Sequence, residues 1–220
     1  MADTVFEHSE YRRRHGELIQ QLPPNSLVII PNNVPKTRSN DTKYPFRANS
    51  YLMYLSGWEE SNSILTITKI SNQSTVTLFV KPRNTESEIW EGRIVGIEGA
   101  LNGWPIDKAV PITDFESALS DSIKQISNLF LLKDINMNID SLVSDLWDGD
   151  ISDPCVYLDK MRTIKSPAEI ELMQSSSSIA CEAHILAMSI SKPRIGEWEI
   201  QASMENHFTR NRSVNSYNPI

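Results

Sequence analysis

The groups in this 220-residue chain that could carry chemistry are four histidines, two cysteines and several acidic clusters, and their spacing supports little of it. His8, His15, His184 and His207 are scattered, and no acidic pair on a strand pattern faces any of them, so neither a hydrolytic metal centre nor an acid–base pair is legible. Asp148, Asp150, Ser152 and Asp159 copy part of a calcium loop. That loop needs Gly at its sixth position and Glu at its twelfth, where Asp153 and Asp159 stand, and Pro154 intrudes at the seventh, so an acidic surface turn is expected instead. There is no Gly-rich phosphate loop and no Ser or Cys nucleophile elbow, and Cys155 and Cys181 lack metal-like spacing. The expectation is no catalytic residue and no metal ligand within these residues. What remains is aromatic side chains, which taken alone read as the corner of a hydrophobic core and as packing residues. Tyr44-Pro45-Phe46-Arg47 leads into an unbroken apolar and aromatic run at Tyr51, Leu52, Met53, Tyr54 and Leu55, and Trp90 sits in the polar segment Glu86 to Arg93.

The elements around those stretches read as α/β. Pro45 fixes its own φ and pushes Tyr44 into extended backbone, while Gly57 ends the aromatic run where a positive φ or a close approach is needed. A helix is expected over Glu7 to Leu22, with Arg12 to Arg14 as a solvated basic face. Leu27 to Ile30 is a continuous apolar run of the kind found in strands covered on both faces. Ser63 to Ile70 alternates with period two, Asn72-Gln73 turns it, and Thr75 to Val80 returns as the hairpin partner. Thr113 with Glu116 reads as a capping box for a helix carrying Phe115, Leu119, Ile123 and Ile126, which leads to a strand at Leu129 to Leu132. Asn136, Asn138 and Asp140 break the apolar signal until Leu142 to Trp147. Ser166, Pro167 and Glu169 make a strong helix start, followed by an inner stripe of Ile170, Met173, Ser177, Ala180, His184, Ala187 and Ile190, with His184 as a satisfied core residue. A second helix spans Glu197 to Asn211 with Ile200, Met204, His207 and Phe208 inward.

Composition limits the function classes. With 21 Lys and Arg against 28 Asp and Glu, the net charge is −7, which disfavours nucleic acid or an anionic membrane as a general partner. No apolar run approaches the roughly 18 residues of a membrane span, and the acidic N-terminus resembles neither a secretory signal nor a transit peptide. Two cysteines fit a reduced, cytoplasmic compartment, where the Asn-x-Ser/Thr sites at Asn40, Asn72 and Asn211 carry no sugar.

The order Asp41, two residues, Tyr44-Pro45-Phe46-Arg47, two residues, Ser50, then the aromatic run to Leu55-Ser56-Gly57-Trp58 resembles the N-terminal domain of the Xaa-Pro aminopeptidases (aminopeptidase P). The acidic, Trp, Gly, Arg order of Glu86 to Arg93 is similar to the same family, and Arg162, Lys165-Ser166-Pro167 and Glu169-Ile170 resemble its junction with a second domain. One departure is Glu59-Glu60-Ser61-Asn62, where the family usually has an acidic-Pro-Asp turn.

The resemblance implies a mixed sheet flanked by helices of the creatinase/aminopeptidase P N-terminal type over residues 1–150, a linker at 151–166, and the first two helices of a truncated pita-bread domain over 167–220. It implies a metallo-exopeptidase that removes the residue before proline at position two of a peptide, using two Mn²⁺ per full-length subunit. Two Asp, one His and two Glu would hold those ions, all beyond Ile220, so that the 220-residue chain alone is inactive. Trp90 and Tyr217 are its substrate-binding residues here, the latter from Ser216 to Ile220, which resembles the first strand of the catalytic domain. Tyr44, Phe46 and Arg47 are interface residues in an enzyme that forms homo-oligomers when full length. A non-catalytic, protein-binding relative of the pita-bread superfamily and a prolidase stay open as alternatives.

Overall fold

A continuous apolar strand forms the middle of the molecule's sheet. In the computed structural model, which describes residues 4–217, strand β1 (Ser26–Pro31) is buried along its whole length. Helix α1 (His8–Gln21) precedes it. A small ribbon, β2 (Thr37–Ser39) with β3 (Thr42–Lys43), and helix α2 (Ser50–Ser56) follow. The hairpin β4 (Ile64–Ile70) and β5 (Gln73–Val80) turns through Ser71 and Asn72, one residue earlier than expected, with Ser71 at a φ of 52°. Helices α3 (Thr85–Glu91) and α4 (Gly96–Gly103) lead to β6 (Lys108–Pro111). Helix α5 (Phe115–Ile123), β7 (Asn128–Leu131), α6 (Met137–Leu146), β8 (Ile151–Ser152) and α7 (Cys155–Thr163) complete the first of two compact units, which ends at Thr163.

The six-stranded sheet has the order β6-β5-β4-β1-β7-β8 and is mixed: β4 pairs antiparallel with both β1 and β5, and the other neighbours are parallel. Alternation along β1 divides the core, as the pleat requires. Val28 and Ile30 face Leu18, Leu52, Leu55, Trp58 and Leu158 on one side, while Leu27 and Ile29 face Phe115, Leu119, Leu129 and Val143 on the other. Strand β4 divides the same way, Leu65 and Ile67 to the first side and Ile64 to the second, so both faces are covered as read from its alternation.

Four local expectations change. Arg14 does not lie on a solvated face: its side chain is buried, ringed by Phe6, Tyr11 and Tyr54 at 4.8, 5.3 and 4.2 Å, and it donates to the Tyr54 carbonyl at 2.7 Å. Stacking against three rings and a short carbonyl bond offset the desolvation that would otherwise keep a guanidinium outside. The capping box at Thr113 does not form, because residues Ile112–Asp114 make a 3-10 turn and the Thr113 hydroxyl donates to Asp114 instead. Asn136 is no breaker but the cap of α6, accepting from the Asn138 amide at 3.2 Å. Residues 151–163, expected as linker and acidic turn, supply β8 to the sheet edge and α7 to the core, where Leu158 is fully buried.

The second unit, residues 164–220, pairs α8 (Pro167–Ile190) with α9 (Glu197–Arg210). The predicted start of α8 is observed in full: Ser166 Oγ accepts from the Glu169 amide and Glu169 accepts from the Ser166 amide, with Pro167 at the first helical position. Of the expected inner stripe, Ala180, Ala187 and Ile190 are half-buried, whereas Ile170, Met173 and Ser177 are exposed. Ala183 is the buried residue of α8, while His184 is exposed rather than a core residue, because a small side chain lets the two helices approach. Ile200, Met204, His207 and Phe208 lie half-buried on α9 as expected, with His207 Nε2 3.3 Å from Glu182. Of the strand start expected over Ser216 to Ile220, the last three residues lie outside the described residues.

Candidate functional site

Asn32, at the end of β1, holds the segment that carries Tyr44 to Arg47. Its buried side chain donates to Glu60 O and Ser63 Oγ, and its carbonyl oxygen accepts from the backbone amides of Asn33 and Asn49 at 2.9 and 2.7 Å. Every polar atom of that amide is used, so β1, the entry to β4 and the start of α2 are locked together. Asn49 then caps α2, accepting from Tyr51 N and Leu52 N, and Gly57 closes the helix at a φ of 68°. Nothing in the sequence distinguished Asn32 from an ordinary turn residue.

With its far end fixed, the Tyr44–Arg47 segment is displayed. Tyr44 is exposed, Phe46 is half-buried, and Arg47 is exposed with bonds to Ala48 O and Ser50 Oγ, while the Arg47 carbonyl accepts from Asn33 Nδ2. Tyr44 N donates to Lys36 O, extending the β2–β3 ribbon. Trp90 is 89% exposed on α3, with Ile89 beside it at 76%. Glu91, the last residue of that helix, pairs with Lys81 after β5 and lies 3.5 Å from Lys43 of β3, so the ribbon and the Trp90 helix share one edge of the first unit. Tyr217 belongs to the second unit and is also exposed. Glu91 thus links the residue before Tyr44 to the residue after Trp90, a contact that no local pattern announces.

A second polar cluster lies along α7. Tyr51 donates to Asp159 at 2.7 Å, which raises the phenol pKa because the bond holds its proton, and the Arg162 guanidinium lies 4.9 Å over the Tyr51 ring. Burial pushes the nearby Cys155 thiol up, so it is a poor nucleophile. Among the described residues no three His, Cys, Asp or Glu side chains converge to hold a metal ion. The nearest approach of such a pair in the second unit, Glu182 and His207, is an imidazole–carboxylate contact with Asn211 also beside the ring nitrogen. These residues therefore do not fit a two-metal centre.

A family description, the N-terminal domain of aminopeptidase P, matches residues 11–130, more than half of the chain. The chain belongs to the aminopeptidase P N-terminal domain family. Strands β1, β4, β5 and β6 of the central sheet and the Trp90 helix fall within the matched stretch of that aminopeptidase P domain, as does most of α1, while β8 lies beyond it. The chain is 34% identical over 214 residues to an Xaa-Pro aminopeptidase of Haemophilus influenzae, covering 96% of this chain and 50% of that protein. It is 28% identical to the Escherichia coli Xaa-Pro aminopeptidase over 98% of this chain and 52% of that one. Thus the chain spans about half the length of the curated relatives it matches. Among solved structures, proline aminopeptidase P II of Yersinia pestis superposes with a TM-score of 0.88 at 26% identity, over 93% of this chain and 50% of that one. Escherichia coli aminopeptidase P superposes at 0.89 with 24% identity, over 94% and 50%, a likeness of fold. The α/β reading, a mixed sheet flanked by helices, is the observed fold.

Proposed function

We propose that this chain is the N-terminal part of a manganese-dependent metallo-aminopeptidase that releases the N-terminal residue from peptides with proline second. The observation that carries the reading is the extent of the likeness: it runs past the 11–130 stretch of the family through α8 and α9, over more than nine-tenths of the chain. In this reading the two Mn²⁺ are held by carboxylates and an imidazole encoded after Ile220, since the described residues do not fit such a centre. The ions would supply a metal-activated water for attack on the bond before proline. The residues described here recognise and restrict: Trp90 and Tyr217 face the peptide, and Tyr44, Phe46 and Arg47 meet the catalytic domain or another subunit of a homo-oligomer. The same reading has the enzyme in the cytoplasm, where its two free cysteines stay reduced.

The test is an assay of the full-length protein on matched peptides with proline or alanine at position two, with and without Mn²⁺, alongside the 220-residue chain. Metal-dependent release confined to the proline peptide and to the full-length protein is expected. Equal turnover of both peptides, or activity of the 220-residue chain alone, would overturn the reading.

A further inference from the structure

Helix α3 is amphipathic in the wrong sense for a helix of a folded domain. Its two large apolar side chains, Ile89 and Trp90, point to solvent, while the residues turned toward the domain are the half-buried Ser87 and Glu88. None of its seven residues is buried, and a helix this short is marginal in water without tertiary support. Its support is polar. Asn84 caps it by accepting from Glu86 N and Ser87 N. Glu88 takes two bonds from the Arg83 guanidinium, both 2.9 Å, and a third from Ile94 N at 3.0 Å, which together hold its carboxyl at about 2. Glu91 is held by Lys81 and Lys43. Beyond its end the backbone turns at positive φ at Gly92 and again at Gly96.

We propose that the pairs Arg83–Glu88 and Lys81/Lys43–Glu91 form an ion-pair latch that sets the position of α3, making Glu88 and Glu91 positioning residues for Trp90. Burial of apolar surface cannot fix this helix, because its apolar side chains are the ones displayed, so the direction in which Trp90 points depends on charge. The latch ties α3 to two places: Lys43 comes from the ribbon, and Lys81 and Arg83 come from the connection between β5 and α3. Salt therefore loosens the Trp90 helix without touching the core, since exposed pairs are screened and buried apolar contacts are not. That Trp90 acts on peptide rests on the function proposed above; the latch does not.

Hydrogen exchange of the amides of residues 86–92 in the 220-residue chain tests the latch directly. Glu91→Gln, or about 0.5 M NaCl, speeds exchange there several-fold to roughly tenfold with the melting temperature unchanged, and the reversal Lys81→Glu with Glu91→Lys restores protection. Unchanged exchange in both Glu91→Gln and Glu88→Gln overturns the proposal, as does a loss of protection that spreads through the central strands. In the full-length enzyme, KM for an Xaa-Pro peptide rises with Glu91→Gln while kcat holds, and Trp90→Ala removes the salt dependence of KM. Faster exchange with constant KM leaves the latch standing and removes Trp90 from the peptide site.

Discussion

A methyl group added at Gly57 would lie 2.6 Å from the Tyr11 hydroxyl, in a residue whose φ is 68°. Both the backbone and the neighbour oppose it, so Gly57→Ala is expected to cost about 2–4 kcal/mol in urea denaturation. Gly92→Ala is the control: its φ is 81° but nothing lies within 4 Å of the new carbon, and the cost falls to about 1 kcal/mol. His15 tests charge at the same scale. Its Nε2 is 2.6 Å from Leu55 O, and burial, opposed by that carbonyl and aided by the Arg12 cation, lowers its pKa from 6.5 to about 4. The unfolded chain therefore takes up the proton first. The contribution of neutral His15 is whole above about pH 6.5 and is lost as pH falls toward 4, a slope worth on the order of 3 kcal/mol. Urea midpoints across that window fall for the wild type and fall less for His15→Gln; parallel curves would assign the slope to other groups.

At the level of the element, caps separate what a sequence announces from what the chain adopts. Ser166, Pro167 and Glu169 announced α8, and the observed capping box uses those residues. Thr113 and Glu116 offer the same pattern, yet the preceding 3-10 turn makes Asp114 the residue at the helix entry and leaves Thr113 beside it. Asn49→Ala should accordingly cost about 1–2 kcal/mol, because two amides of α2 lose their acceptor, whereas Thr113→Ala should change stability by less than about 0.5 kcal/mol. Equal effects in a urea titration would contradict the assignment of caps. Helix α6 was hidden for a related reason: Asn136 and Asp140 read as interruptions, but one caps the helix and the other accepts from the Asp134 amide, whose φ is 65°.

For the whole molecule, the boundary at Thr163 has a measurable consequence. A chain ending at residue 150 would lack α7, whose Leu158 and Met161 are 0% and 6% exposed in the core beside Leu18 and Leu55. Burial of each is worth about 1.5–3 kcal/mol, so residues 1–163 should unfold in one cooperative transition and residues 1–150 should be weaker by several kcal/mol or not fold. Similar melting curves for the two would return α7 to the status of linker. Limited proteolysis of the 220-residue chain should cut first near Ile164, which is 81% exposed.

Elements with local, periodic signals were legible in the residues alone: the apolar run of β1, the alternation of β4, the Gly57 stop and the Ser166 start each follow from the chemistry of a few adjacent residues. The motifs of the sequence were also enough to point to the family. Tertiary structure alone decided which polar groups go inside. Arg14 is buried because Phe6, Tyr11 and Tyr54 converge on it across up to forty residues of chain, and Asn32 is a lock because Asn49, Glu60 and Ser63 arrive at it from elsewhere. The inverted helix α3 is the sharpest case. Periodicity gives which side chains share a face, but not whether that face meets the core or the solvent, and here ion pairs from the ribbon and from the β5–α3 connection decide it.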